Sequence, residues 1–190
     1  MDLAIELAAV VLTFVSVALS ITENIWTWPT GIASVLVYAV VFYHSRLYAN
    51  MLLQFVYVGF SIYGWYEWLY GGENKSELRV SKTPLRTMAL GVIIAVVALI
   101  AFGYFSQRYT NASLPFADNA LTSFSLLAQY LMTKKHLENW HFRIAVDVGY
   151  IAMFLYEHLY LSAVLYAAFI ALCIAGLLEW RKSIPVTAES

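Results

Sequence analysis

The sequence predicts an all-α membrane protein. Seven transmembrane helices form a 3+1+3 arrangement, two parallel three-helix repeats joined by a linker helix. Three observations lead there. Hydrophobic residues make up 62% of the chain and charged residues 12%, whereas soluble domains carry roughly 25% charged residues. Seven apolar segments are long enough to span a bilayer, which takes about 20 residues with a range of about 17–25. The stretch from Trp28 to Trp68 also recurs, without a gap, 112 positions further on, with twelve of forty-one positions identical. The matches include Trp28 with Trp140, Gly64 with Gly176, Glu67 with Glu179 and Trp68 with Trp180. Apolar matches between two membrane hairpins mean little. The glycine, glutamate and aromatic pairs mark an internal repeat.

The segments fall near 3–21, 28–43, 49–70, 87–106, 117–133, 139–156 and 160–180. Each reads as helix, because a backbone in lipid must satisfy its own hydrogen bonds. Thr27 is placed to cap the second helix, with Pro29 near its first position, where a missing N–H costs nothing. Gly71-Gly72 suits the end of the third. The longest polar loop, GGENKSELRVSKTPLR, follows. The fourth segment contains almost nothing polar and reads as the linker. The sixth and seventh form an antiparallel hairpin around Glu157-His158. The expected organisation is a first repeat over 1–70, loop and linker helix over 71–112, a second repeat over 113–182 and a cytoplasmic tail over 183–190.

Lys and Arg set the orientation. Lys75, Arg79, Lys82, Arg86, Lys134, Lys135, Arg181 and Lys182 lie on one side, and only Arg46 and Arg108 on the other. That puts the C-terminus in the cytoplasm and the N-terminus outside. Three helices per repeat would leave the second repeat inverted. The extra crossing restores its direction, so the pseudo-two-fold axis should run along the membrane normal with a site near the midplane between repeats.

Polar side chains in a membrane helix usually face the bundle interior or a wet cavity, and here they are periodic. Asn50, Gln54, Tyr57 and Ser61 share one face of the third helix, and Asp118, Thr122, Ser125 and Gln129 one face of the fifth. Trp140, Arg143, Asp147, Tyr150 and Phe154 form a stripe on the sixth, and Ser162, Tyr166, Phe169 and Cys173 a blander one on the seventh. Inter-helix bonding accounts for single Ser and Thr residues. Two amides on one face, Asn50 and Gln54, favour ligand contact. Asp147 is the only acid in the middle of a span. It either pairs with Arg143 one turn before it or accepts hydrogen bonds from ligand hydroxyls. Trp28 and Trp140 fit the interfacial aromatic belt or a pair of rings stacking on a flat, cationic ligand. Trp65 and Trp68 fit the belt, and Glu67 and Glu179 read as interfacial.

Several function classes are disfavoured. The net charge of −1 gives no sign of nucleic-acid binding, and a single cysteine, Cys173, reads as an inert small hydrophobe with no disulfide partner. The histidines (His44, His136, His141, His158) make no metal-binding pair at helical spacing, and no nucleophile–base set or phosphate loop is visible, so neither an enzyme nor a cofactor is expected. Acids in MDLAIELAAV argue against a cleavable leader. Asn111-Ala112-Ser113 fits a glycosylation pattern on the outer side but carries little weight.

WPTGI, LYANMLLQFVYVGFSIYGWYEW, LENW with a membrane Asp147, and LYLSAVLYAAF resemble the PnuC family of nicotinamide riboside transporters over essentially the whole chain. The resemblance implies a fold related to the SWEET sugar transporters, a homotrimer in the bacterial inner membrane and uptake of nicotinamide riboside. It implies facilitated diffusion made unidirectional by a cytoplasmic nucleoside kinase. By motif match, the substrate-binding residues would be Trp28, Asn50, Gln54, Tyr57, Gln129, Asn139, Trp140 and Asp147. Arg143 departs from the family pattern, in which a second aromatic and apolar residues commonly follow LENW. A flat pyridinium cation with a carboxamide and a ribose suits such a set: Trp faces for the ring, amides for the carboxamide, Asp147 for hydroxyls. Thiamine or riboflavin carriage is the alternative. Uncoupled transport ranks above proton coupling, because Arg143 can hold Asp147 ionised.

Overall fold

The structure is a computed structural model that describes residues 3–109 and 114–184. Among these, seven long helices hold most of the chain: α1 Leu3–Ile21, α2 Thr27–His44, α3 Tyr48–Tyr70, α4 Leu85–Tyr109, α5 Pro115–Thr133, α6 Asn139–Tyr156 and α7 Tyr160–Ser183. Each predicted segment is a helix. The Asn111 sequon lies outside the described residues.

The repeat is visible in the backbone. Shifting the bounds of α1 and α2 by 112 positions gives those of α5 and α6, and the start of α3 becomes the start of α7. Helix ends repeat as well. The Asn24 N–H donates to the Leu19 carbonyl at 3.0 Å, and the His136 N–H to that of Leu131 at 2.9 Å. After α2 and α6, Leu47 N–H donates to Phe42 and Leu159 N–H to Phe154, at 2.9 and 2.7 Å. These are six-to-one closures that need a left-handed residue just past the helix. Glu23, Lys135, Arg46 and His158 take that conformation, with φ of 55°, 48°, 59° and 60°. Glycine usually stands there, since other L residues lose roughly 1–2 kcal/mol.

Two of the expected helix boundaries form differently. Thr27 is the first residue of α2 rather than its cap; its hydroxyl donates instead to the Ser16 carbonyl of α1 at 2.8 Å. Asn24 supplies the local bond, its side-chain oxygen accepting from the Trp26 N–H at 3.0 Å. Gly71 does end α3, but at φ −80°; close approach is the reason for glycine, since a Cβ there would crowd the Glu67 carbonyl.

The chain divides into two compact units. The first holds α1–α3, the loop residues Thr133–Lys135 and the end of α7 from Leu178. A ladder of small hydroxyls joins α1 to α2: Thr13 and Ser34 lie 2.7 Å apart, Ser34 donates to the Ala9 carbonyl at 3.0 Å and Ser16 to that of Thr27 at 2.8 Å. These serve the inter-helix role expected of single Ser and Thr residues. Between α2 and α3, the Trp28 ring occupies the notch that Gly64 leaves bare.

The second unit holds α4, the rest of α5, α6 and most of α7. Ala95, Leu127 and Leu131 form its buried centre, with Val92, Phe124, Tyr130 and Phe142 packed around them. The Trp140 ring fills the notch at Gly176, the repeat equivalent of Trp28 on Gly64. Exposed Leu90, Ile93, Ile94, Val97, Ile100 and Phe102 cover α4, a surface suited to lipid and not to water.

Residues 81–83 run beside 136–138 in a short parallel bridge. The Leu137 N–H donates to the Ser81 carbonyl at 2.9 Å. Glu138 Oε2 accepts from the Thr83 N–H at 2.8 Å and its hydroxyl at 2.5 Å. Burial opposes ionisation of Glu138, but these donors outweigh it and hold the carboxyl below its ordinary range. A lowered folded-state value means that the clasp stabilises fully above the unfolded pKa and is lost as pH falls through the folded one. Stability is therefore expected to decline on acidification below about pH 4.5. Glu138→Gln should flatten that part of the melting profile and cost about 1 kcal/mol at neutral pH; identical pH profiles would refute the assignment.

Candidate functional site

In the first unit the α3 stripe forms as spaced. Asn50 is exposed, Gln54 and Tyr57 are half-buried and Ser61 is buried. The Gln54 amide makes only a long bond within its own helix, from Nε2 to the Asn50 carbonyl at 3.4 Å. Among the described residues, most of the hydrogen-bonding capacity of both amides is unspent.

Trp28 is 3% exposed, edge-on to Trp68 at 5.2 Å between centroids. Trp68, expected in the interfacial belt, is instead 2% exposed, packed against Trp180 at 6.0 Å. Trp180 donates its indole N–H to the Ser20 carbonyl at 3.0 Å. Lys135 completes this cluster, its ammonium 4.5 Å from the Trp68 ring centroid and 2.9 Å from Glu23. Glu23 also accepts from the Ser183 hydroxyl at 2.8 Å. Glu67, read as interfacial, pairs with Lys134 at 2.9 Å, whereas its repeat partner Glu179 has only an exposed bond to Lys182. The repeat explains the difference: Lys134 corresponds to Thr22, which carries no charge. Burial would lower the Lys134 ammonium, but hydrogen bonds to Tyr63 and Glu67 prevail and hold it above the ordinary lysine range.

In the second unit, α5, α6 and α7 bring together Gln129, Arg143, Asp147 and Cys173. Of the two readings of Asp147, the ion pair with Arg143 does not form. Arg143 donates from Nη2 to the Gln129 side-chain oxygen at 2.9 Å, and Asp147 instead accepts from the Cys173 thiol at 3.7 Å. A guanidinium fork reaches an amide on the neighbouring helix as readily as a carboxylate one turn away, and here the neighbour wins. Cys173, read from sequence as inert, thus touches the only mid-span carboxylate. The Arg143 Nε–H is buried without a hydrogen-bond partner.

Next to this group is an aromatic wall: Tyr150 and Phe154 of α6 lie 5.1 and 5.2 Å from Tyr166 of α7, with Phe169 at 5.8 Å. Tyr166 corresponds in the repeat to Gln54. Its signal in the sequence is its place on the α7 stripe with Ser162, Phe169 and Cys173. The tryptophans are poor stacking surfaces in this conformation, since Trp140 is 0% exposed and closed over Gly176. Asn139 is also 0% exposed; its Nδ2 donates to the His136 carbonyl at 2.7 Å and its Oδ1 has no partner.

Arg143, Asp147 and Gln129 correspond to Gly31, Val35 and Val17 in the first repeat. At these three positions the charges belong to 113–182 alone, whereas the amide pair Asn50 and Gln54 belongs to 1–70.

Residues 3–182 match the family model described as nicotinamide mononucleotide transporter. The nicotinamide riboside transporter PnuC of Escherichia coli is 24% identical over 94% of this chain and 85% of its own. The riboflavin/roseoflavin transporter RibM of Streptomyces davaonensis is 26% identical over 93% of this chain and 86% of its own. The crystal structure of a vitamin B3 transporter, PnuC, is similar with a TM-score of 0.75 at 23% identity, covering all of this chain and 84% of that one. The relatives are transporters and not enzymes, and the solved structure shares the all-helical fold.

Proposed function

The chain belongs to the nicotinamide mononucleotide transporter family, and from that premise we propose that it takes up nicotinamide riboside by facilitated diffusion. The observation that carries the reading is the match to a nicotinamide riboside transporter over 94% of the chain. The 3+1+3 organisation, with repeats over 1–70 and 113–182 joined by α4, is supported by the 112-residue spacing of helix bounds. We read the protein as a homotrimer of the inner membrane, N-terminus outside and C-terminus cytoplasmic, with a cytoplasmic nucleoside kinase trapping the product.

By chemistry, the Asn50 and Gln54 amides of the first unit suit a carboxamide, and Asp147 and Gln129 of the second suit ribose hydroxyls. Tyr57 joins the amide face. Tyr150 and Tyr166 offer ring faces to the pyridinium. Trp28, Trp140 and Asn139 act from behind, fixing the starts of α2 and α6. Exposure of the bound substrate alternates between the two sides of the membrane.

Titration calorimetry on purified protein with nicotinamide riboside, riboflavin and thiamine tests the substrate. Gln54→Ala and Asp147→Asn are each expected to weaken riboside binding about tenfold, the loss of roughly one good hydrogen bond to a polar ligand. Riboflavin is the second reading, favoured by its relative at 26% identity; binding of riboflavin alone would replace the substrate. Whether Asp147 couples uptake to protons is decided by a flux assay. Uptake that persists after the proton gradient is collapsed supports facilitated diffusion, and its loss makes Asp147 the coupling group.

A further inference from the structure

Arg143 is held in an unusual way for a cation on a membrane helix. Such a group is costly there and normally pairs with an acid or faces a wet cavity. Asp147 stands one turn away on the same face, yet Arg143 bonds the neutral amide of Gln129 at 2.9 Å. Its Nε–H is buried and unspent. The first repeat, with Gly31 and Val35 at the equivalent places, builds the same helix pair without either charge. Packing α6 against its neighbours therefore does not require a guanidinium. A guanidinium remains charged at any physiological pH, and in a site of low dielectric its field acts strongly on a ligand's charge.

We infer that Arg143 is the residue that sets the charge selectivity of this transporter: it donates to a neutral oxygen acceptor on the substrate and disfavours cationic rings, against the attraction of Asp147. The inference rests on reading the Gln129–Arg143–Asp147 cluster as part of the substrate site. Nicotinamide riboside still enters, but its cationic ring is favoured less than the family resemblance suggests. A neutral ligand of the same shape gains by comparison.

The test compares nicotinamide riboside with its dihydro form, which differs by one hydride and one charge, in proteoliposomes. Wild type, Arg143→Gln and Arg143→Lys are compared. Gln keeps a partner for Gln129 without the charge, and Lys keeps the charge without the fork. Expected results are a cation-to-neutral uptake ratio at least tenfold higher in Arg143→Gln and close to wild type in Arg143→Lys. An Arg143→Gln ratio within threefold of wild type overturns the inference, as does an equal loss of both ligands, which marks a structural role. If Arg143→Gln does not fold, the ratio in Arg143→Lys decides alone: retention supports charge selectivity, and a shift of tenfold overturns it.

The two readings fail separately. Uptake of the cationic riboside with an unchanged ratio in Arg143→Gln leaves the substrate assignment intact and removes the role of Arg143. Uptake of riboflavin but neither riboside by wild type removes the substrate assignment. In that case, admission of the cationic riboside by Arg143→Gln upholds the selectivity role, and its continued exclusion refutes it.

Discussion

Trp140→Ala is expected to destabilise the protein by about 3–5 kcal/mol, the usual cost of deleting a large buried aromatic. Trp140 is fully buried, and its ring fills the notch left by the missing side chain of Gly176. Truncation leaves that notch empty on both sides, and two helices cannot close over it without shifting the rest of α6. The reciprocal change, Gly176→Ala, drives a Cβ into the indole and should cost about 1–3 kcal/mol through overpacking. Combined, the two changes should cost less than their sum, because each fills or empties the same space. Rates of thermal unfolding in detergent are the suitable readout, since membrane proteins of this kind commonly unfold irreversibly. An unchanged unfolding rate accompanied by lost riboside binding would assign Trp140 to the ligand and not to packing.

Lys135→Ala is expected to cost about 3 kcal/mol. The Lys135 side chain is 8% exposed and that of Glu23 26%. Removing one partner of a buried pair leaves the other charge uncompensated, and the exposure of Glu23 keeps the figure at the low end of that effect. Loss of the cation over Trp68 adds to it. Lys182→Ala provides the contrast: it breaks a pair whose side chains are 72% and 50% exposed and should leave the unfolding rate unchanged. Exchanging the charges, with Glu23→Lys and Lys135→Glu together, should recover part of the loss. Equal effects of Lys135→Ala and Lys182→Ala would show that the buried pair contributes nothing special.

Much of this architecture was legible because lipid restricts the choices. An apolar run of membrane length has to be helical, so all seven helices followed from hydropathy alone. The repeat was legible because Trp28, Gly64 and Trp68 recur in register, and the structure shows why: tryptophan and glycine are two halves of one contact. The direction of Arg143 was not legible. Asp147 on its own helix and Gln129 on α5 are both within reach of a guanidinium, and only the placement of neighbouring helices chooses between them. Trp68 was misassigned because α3 carries aromatics on all sides. Tyr63, Trp65, Tyr66 and Tyr70 are exposed while Trp68 is buried; the signal that separates them is the recurrence of Trp68 as Trp180, where the other four meet Ala175, Leu177, Leu178 and Lys182. The Lys135–Glu23 pair spans 112 residues, beyond any local pattern, although the two positions are equivalent in the repeat. Similarly, the family motifs pointed to Trp28 and Trp140 by identity, whereas the half-buried rings are those of the less conspicuous Tyr150 and Tyr166.

Glu23 and Lys135 occupy equivalent places 112 residues apart, and they bind each other. Identical copies would carry the same residue at both places, glutamate facing glutamate or lysine facing lysine, and would repel. Opposite charges at equivalent positions attract where identical ones would not, so neither residue can be exchanged alone. A chain assembled from two first halves would lose this attraction, and so would one assembled from two second halves. The halves have become complementary, each unable to stand in for its sibling.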